Sequence, residues 1–249
     1  MKALITGASS GIGRDMALDL SRRGYDLILV ARRMDRLEKL KGELSTDAQL
    51  IKLDLSEESS CFSLYDMVDP QEIDIIINNA GFGIFGDFNE IDLQQELDMI
   101  NLNVKAVHIL TKLFLKDFIS RDSGYILNVA SVAAFLPGPL FAGYYATKAY
   151  VLRLSEAIHE ELRQSGSKVY IGTLCPGPVK TEFDLVAHIA QGRMGLDSKY
   201  VAKYAIDRMF RRKMVIVPGI AMKLARFIAK VTPEKLLLRG TYLAQQKKR

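Results

Sequence analysis

The chain has 249 residues, 49% of them hydrophobic, which is enough to bury one substantial core, and it reads as a single domain spanning 1–249. Its 34 Lys and Arg against 29 Asp and Glu give a net charge of +5, too small a bias to imply a nucleic-acid partner. Cys61, Cys175, His108, His159 and His188 share no metal-ligand spacing, and no stretch approaches the roughly 20 apolar residues of a membrane span, so neither a metal site nor a transmembrane helix is expected.

Met1-Lys2 runs straight into the first candidate strand, 2–6, without the features of a signal peptide, and the protein reads as cytosolic. That strand leads through Gly7, Gly11 and Gly13 into a helix predicted over 12–23. Glycines there let the backbone approach a pyrophosphate, and free N–H groups at the helix start attract its charge. The spacing is G-x-x-x-G-x-G, which differs from the G-x-G-x-x-G fingerprint, and a plain strand-to-helix turn is the competing reading. Further strands are predicted at 26–31, 49–53, 73–78, 124–130, 168–175 and 214–217. Helices are predicted between them at 35–44, 57–68, 91–119 with a bend, 143–165 and 199–211. Residues 182–198 follow the Pro176-Gly177 turn, contain Gly192 and Gly195, and read as a substrate flap that orders on ligand binding.

Short β-rich runs alternating with helix-sized segments call for an α/β fold: a Rossmann-type, doubly wound parallel sheet flanked by helices, with right-handed crossovers. In such sheets ligands bind beyond the carboxyl ends of the strands. Gly7, Asp54, Asn78, Ser131 and Pro176 each follow a predicted strand and so converge on one sheet edge. Taken alone, Asn78-Asn79-Ala80-Gly81 reads equally well as an ordinary turn, and a single Ser or Asn near an element end as a cap. Tyr144 and Lys148 stand four apart in a helix and share a face, although Tyr145 also comes within reach of Lys148. Bringing a phenol from about 10 to about 7 takes roughly 4 kcal/mol of preference for the phenolate, which a neighbouring ammonium helps to supply.

With five segments in order, the sequence resembles the short-chain dehydrogenase/reductase family. They are Thr6-Gly7-Ala8-Ser9-Ser10-Gly11-Ile12-Gly13, Asp54, Asn78-Asn79-Ala80-Gly81, Tyr144-Tyr145-Ala146-Thr147-Lys148, and Pro176-Gly177-Pro178-Val179-Lys180-Thr181. The resemblance covers about residues 1–181 and implies hydride exchange between a nicotinamide dinucleotide and a carbonyl/alcohol pair. It assigns Tyr144 as acid/base, Lys148 as its tuner, Ser131 as the group that orients the substrate oxygen, and Asn103 as holder of a water behind the lysine. Asn101 competes with Asn103, which is preferred because Ala106 supplies the small residue three places on. The resemblance also implies cofactor contacts from Gly7, Ser9, Ser10, Gly11, Ile12, Gly13, Tyr144, Lys148, Pro176, Gly177 and Val179. Asp54 would meet the adenine, Asn78 to Gly81 would line the cofactor, and Thr181 would meet the nicotinamide end.

The cofactor it points to is NADP(H). Ala31 stands where NAD-specific members usually present a carboxylate, and Arg32 and Arg14 are placed to flank a 2′-phosphate. Both arginines also read as solvated surface, because Arg33 and Arg36 crowd the same loop. Phe135, Leu136, Leu140, Phe141 and Phe183 are expected to shape a pocket for an apolar substrate. Pairing of copies through helices 91–119 and 143–165 is expected by the same resemblance, giving a homo-oligomer. The alternative is a non-catalytic dinucleotide-binding sensor.

Residues 219–249 form a basic helical tail. Residues 199–249 hold 14 basic and 2 acidic side chains, and Lys223, Arg226 and Lys230 recur at helical spacing among apolar residues. The tail is expected to pack its apolar side on the substrate pocket or a neighbouring subunit, in preference to an acidic membrane surface.

Overall fold

The computed structural model describes residues 1–187 and 195–247, arranged on a seven-stranded parallel sheet in the order β3-β2-β1-β4-β5-β6-β7. The strands are β1 Lys2–Thr6, β2 Asp26–Ala31, β3 Ala48–Lys52, β4 Ile73–Asn78, β5 Tyr125–Val129, β6 Tyr170–Leu174 and β7 Val215–Ile216. Strand order reverses between β1 and β4, so two groups of connections leave the sheet in opposite directions and open a crevice there. This is the doubly wound Rossmann arrangement expected from the alternation of elements.

Helices α1 (Gly11–Arg22), α2 (Met34–Lys41) and α8 (Ser198–Phe210) cover one face. Helices α3 (Glu58–Met67), α5 (Val107–Ser120) and α6 (Ala142–Gln164) cover the other. Successive residues of β1 serve the two sides: Ala3 and Ile5 pack with Met16, Leu20 and Val201, while Leu4 packs with Leu64, Leu110 and Phe114. Phe114 and Phe118 are fully buried, and truncating a ring so placed costs about 3–5 kcal/mol.

The bend expected within 91–119 is a π-helical turn, Asn101–Ala106, between α4 (Leu93–Ile100) and α5. Asp92 starts α4 by accepting a hydrogen bond from the Gln95 N–H at 3.0 Å. The wider turn shifts the phase of the following helix and turns Asn103 inward, where it is fully buried.

The two ends of the expected flap are held together. Val179 forms a parallel bridge with Leu196, the Lys180 N–H donates to the Leu196 carbonyl at 3.0 Å, and the Leu196 N–H donates to Pro178 at 2.9 Å. A short helix α7 (Phe183–Val186) follows the first end, and residues 188–194 of the expected flap lie outside the described residues. After β7 come α9 (Ile220–Val231) and α10 (Glu234–Gln246).

Candidate active site

The ends of β1, β4, β5 and β6 surround a cleft of about 500 Å³ lined by Gly7, Ser9, Ser10, Gly11, Ile12, Arg32, Asp54, Asn79, Ala80, Gly81, Ser131, Tyr144, Lys148, Pro176, Gly177, Val179 and Thr181. A larger crevice of about 790 Å³ adjoins it at Ser9–Gly11 and is lined by Arg14, Arg36, Lys39, Lys180 and Lys199 among others. It reaches none of Ser131, Tyr144 or Lys148, so the residues expected to carry the chemistry belong to the smaller cleft.

Close packing forms the cradle at the start of α1. Gly7 and Gly11 have φ of +66° and +54°, the left-handed region that favours glycine. A Cβ at Gly7 would sit 2.8 Å from Ala80 Cα, and one at Gly13 would sit 2.6 Å from the Gly7 carbonyl. Thr6 Oγ1 accepts from the Asn79 and Ala80 N–H groups at 3.0 Å each, while Asn79 Nδ2 donates to the Thr6 carbonyl at 2.9 Å. The loop after β1 is thereby fixed to the loop after β4, with the start of α1 facing the cleft. These features fit a dinucleotide pyrophosphate. Gly13 itself does not line the cleft; its lack of a side chain serves the packing of the loop against Asn79. Asn78 also differs from expectation, because it is 2% exposed and donates to Asn128 Oδ1 at 2.8 Å and Thr111 Oγ1 at 3.2 Å. It ties the sheet to α5 and does not face the crevice.

At the other end of the cleft, Tyr144 and Lys148 are 8% and 4% exposed. The Ser131 side chain lies close enough to the Tyr144 phenol to favour its ionised form, and its Oγ accepts from the Ala133 N–H at 3.1 Å. Lys148 Nζ lies 5.8 Å from the Tyr144 ring centroid and donates to the Val129 carbonyl at 3.0 Å. Asn103 sits behind the lysine: its Oδ1 accepts from the Phe82 N–H at 3.1 Å, and its Nδ2 donates to the Phe82 carbonyl at 2.8 Å and to Thr147 Oγ1 at 3.1 Å. A Cβ at Gly81 would meet both Asn103 Oδ1, at 2.8 Å, and Lys148 Nζ, at 3.2 Å. Of the two competing asparagines, Asn103 is the one packed beside the lysine.

Burial sets the electrostatics. It pushes the Tyr144 phenol above its ordinary value, with the neighbouring Ser131 side chain pulling the other way. The chain by itself therefore does not lower the phenol; the expected shift rests on the ammonium together with the positive ring of an oxidised nicotinamide. Burial also brings the Lys148 ammonium down to about 8 from 10.5. Between about 8 and 10.5 the unfolded chain holds a proton that the folded chain has released, so stability rises with pH across that window. The unfolding free energy of the parent relative to Lys148→Met is expected to increase from about pH 7 to about pH 10 in urea titrations. A difference that stays flat or falls would show that the lysine is not desolvated.

The cationic rim is rearranged relative to the sequence reading. Arg14 lies outside the cleft, its guanidinium held by both oxygens of Glu43 at 2.7 and 2.6 Å. Arg32 lines the cleft, remains largely exposed, and lies 3.5 Å from Asp54. Burial raises the Asp54 carboxyl, but bonds from the Ser56 backbone and hydroxyl, with Arg32, outweigh it and hold the group below its usual range. Arg33 was not singled out in the sequence, yet its Nη2 donates to Ser9 Oγ at 3.2 Å and Ser10 Oγ at 3.0 Å. Glu182 crosses from the other side, accepting from Arg33 at 3.0 Å and from Arg36 at 2.6 and 2.7 Å. No local sequence signal joins these partners; they are adjacent only because two loops meet over the crevice.

The end of the cleft expected to take the substrate is apolar, but its walls are partly other residues. Phe141 and Phe183 line it as expected, joined by Phe82, Val132, Ala133 and Tyr145. Phe135, Leu136 and Leu140 do not. Tyr144 packs on Phe141 and Phe183 with ring centroids 4.7 and 5.3 Å apart. Tyr145 points its hydroxyl elsewhere, accepting a hydrogen bond from Gln245 of α10.

The model of the short chain dehydrogenase family matches residues 1–189. The chain is a member of the short-chain dehydrogenase family. This dehydrogenase is accordingly an NAD(P)-dependent oxidoreductase acting on CH–OH/C=O groups. An uncharacterised oxidoreductase of Staphylococcus saprophyticus is 37% identical to it over 207 residues, covering 82% of this chain and 83% of the relative. A very-long-chain 3-oxoacyl-CoA reductase of Phaeosphaeria nodorum is 37% identical over 177 residues, covering 67% of this chain and 52% of that longer relative. Among solved structures, a short-chain dehydrogenase from Sphingobium yanoikuyae in complex with NADPH superposes with a TM-score of 0.81 at 30% identity, covering 94% of this dehydrogenase and 96% of that chain.

Proposed function

We propose that this dehydrogenase uses NADP(H) to interconvert an apolar carbonyl compound and its alcohol, with Tyr144 moving the proton. The observation that supports this reading best is that Ser131, Tyr144 and Lys148 line one cleft together with aromatic side chains, the lysine ammonium lying 5.8 Å from the Tyr144 ring centroid. When bound, the dinucleotide supplies or accepts the hydride and, in its oxidised form, places a positive ring in the cleft. Tyr144 and Ser131 present two hydroxyls to one substrate oxygen: the serine orients it, and the phenol gives it a proton in reduction or takes one in oxidation. Lys148 is largely an ammonium at neutral pH and favours the phenolate. Asn103 fixes the Phe82 segment against Thr147 and keeps the lysine's surroundings polar.

Arg32 and Arg33 at the end of β2 favour a phosphorylated ribose, in line with the NADPH bound by the Sphingobium relative. The aromatic wall and the thioester chemistry named for the Phaeosphaeria relative favour a carbonyl on a long apolar chain. A panel of ketones, aldehydes and 3-oxoacyl thioesters assayed for NADPH oxidation tests this. The expected result is a kcat/KM that rises with apolar chain length. Absence of turnover across the panel, or a preference for small polar carbonyls, would overturn the reading.

A further inference from the structure

We propose that α9 and α10 form a docking face for an anionic lipid surface. Met222, Arg226 and Ala229 are the less exposed positions of α9; Met222 and Arg226 contact the body, and the exposed Lys223 reaches over it too, its ammonium 5.7 Å from the Tyr204 ring centroid of α8. Met222 lies against Gly177, and the Arg226 guanidinium sits 4.7 Å from the Phe135 ring centroid. The opposite side presents Ile220, Leu224, Phe227 and Val231 to solvent, 84%, 58%, 63% and 65% exposed. Lys223 and Lys230 border one side of that stripe at helical spacing. On α10, Leu236 and Leu243 are 59% and 60% exposed beside Lys235 and Arg239. The expected packing of the tail's apolar side on the pocket is thus met only at the Met222 edge.

Charge selects the occupant. Glu234 is the one acidic residue from 208 to 249, so the basic side chains bordering the apolar stripes have almost no carboxylates of their own segment to neutralise them. A second copy would bring the same positive face against itself, whereas an acidic lipid surface takes the apolar stripes among its chains and the lysines among its headgroups. No helix of the described residues is long and apolar enough to cross a membrane, so the association is with the surface. The inner side of these helices borders the cleft: Gly177, which Met222 touches, lines it, and Gln245 of α10 donates to Tyr145, another lining residue.

The test is cosedimentation of the full chain with vesicles of phosphatidylcholine alone and with about one third phosphatidylserine, at low and high salt. Binding is expected only to the anionic vesicles and is expected to fall at high salt. Lys223→Gln with Lys230→Gln lowers partitioning about 30-fold, from the loss of two charges near the surface. Leu224→Glu with Phe227→Glu abolishes binding, while circular dichroism of this surface variant stays that of the parent. No binding to either vesicle, or equal binding to both, would overturn the proposal. So would a parent dimer without lipid affinity that the Leu224→Glu, Phe227→Glu pair converts to monomer, because the face would then belong to a second copy.

Discussion

Tyr144→Phe is expected to lower kcat by about 100-fold or more, the scale of a positioned proton transfer, whereas Tyr145→Phe should cost less than about tenfold. Both tyrosines stand within a turn of Lys148, and sequence spacing alone leaves them close competitors. The structure separates them by partner. Tyr144 has the Ser131 side chain and the lysine as neighbours, while the Tyr145 hydroxyl is committed to Gln245. Tyr145→Phe therefore removes a link to α10 and leaves the proposed proton donor, Tyr144, in place. Steady-state kinetics with the best carbonyl from the panel, together with dinucleotide affinity by fluorescence titration, distinguishes loss of chemistry from loss of binding. A crippled Tyr145→Phe with a mild Tyr144→Phe would reverse the assignment.

Arg33→Ala should weaken NADPH binding by about 10- to 150-fold and leave NADH almost unchanged, since a hydrogen bond to a charged group contributes about 1.5–3 kcal/mol. Arg33 is held over Ser9 and Ser10, and Ala31 ends β2 without a carboxylate that would repel a 2′-phosphate. Arg14→Ala, by contrast, should change the affinity for either dinucleotide little, because that guanidinium already serves Glu43. Glu182 engages both Arg33 and Arg36, so a phosphate arriving there must share or displace it. Glu182→Gln is accordingly expected to tighten NADPH more than NADH. Isothermal titration of the three variants with both dinucleotides checks the set. Equal losses for NADPH and NADH in Arg33→Ala, or a parent that prefers NADH, would remove the arginine rim from cofactor choice.

The elements and the chemistry at the strand ends were legible because their signals are local. Alternation of apolar runs with helical segments marks the sheet, and the glycine spacing after β1 marks a close approach whatever lies above it. What escaped the sequence depends on register, phase and long-range pairing. Asn78 and Asn79 are adjacent, yet the first is fixed inward by Asn128 and Thr111 and the second lies at the crevice. Asn101 and Asn103 lie within a π-helical turn, where ordinary 3.6-residue phasing fails to say which one faces the lysine. Glu43 lies 29 positions from Arg14, and Glu182 lies 149 from Arg33, so neither pairing has a sequence signature. Amphipathicity in α9 was equally plain, but which side of it met the body was not.

Single turnover with NADPH deuterated at the hydride-bearing carbon of its nicotinamide tests the central claim most directly. The deuterium is expected on the carbinol carbon of the product alcohol, with transfer slowed in Tyr144→Phe although the dinucleotide still binds. Normal NADPH binding with no deuterium delivered to any carbonyl, or transfer undiminished in Tyr144→Phe, would contradict the account.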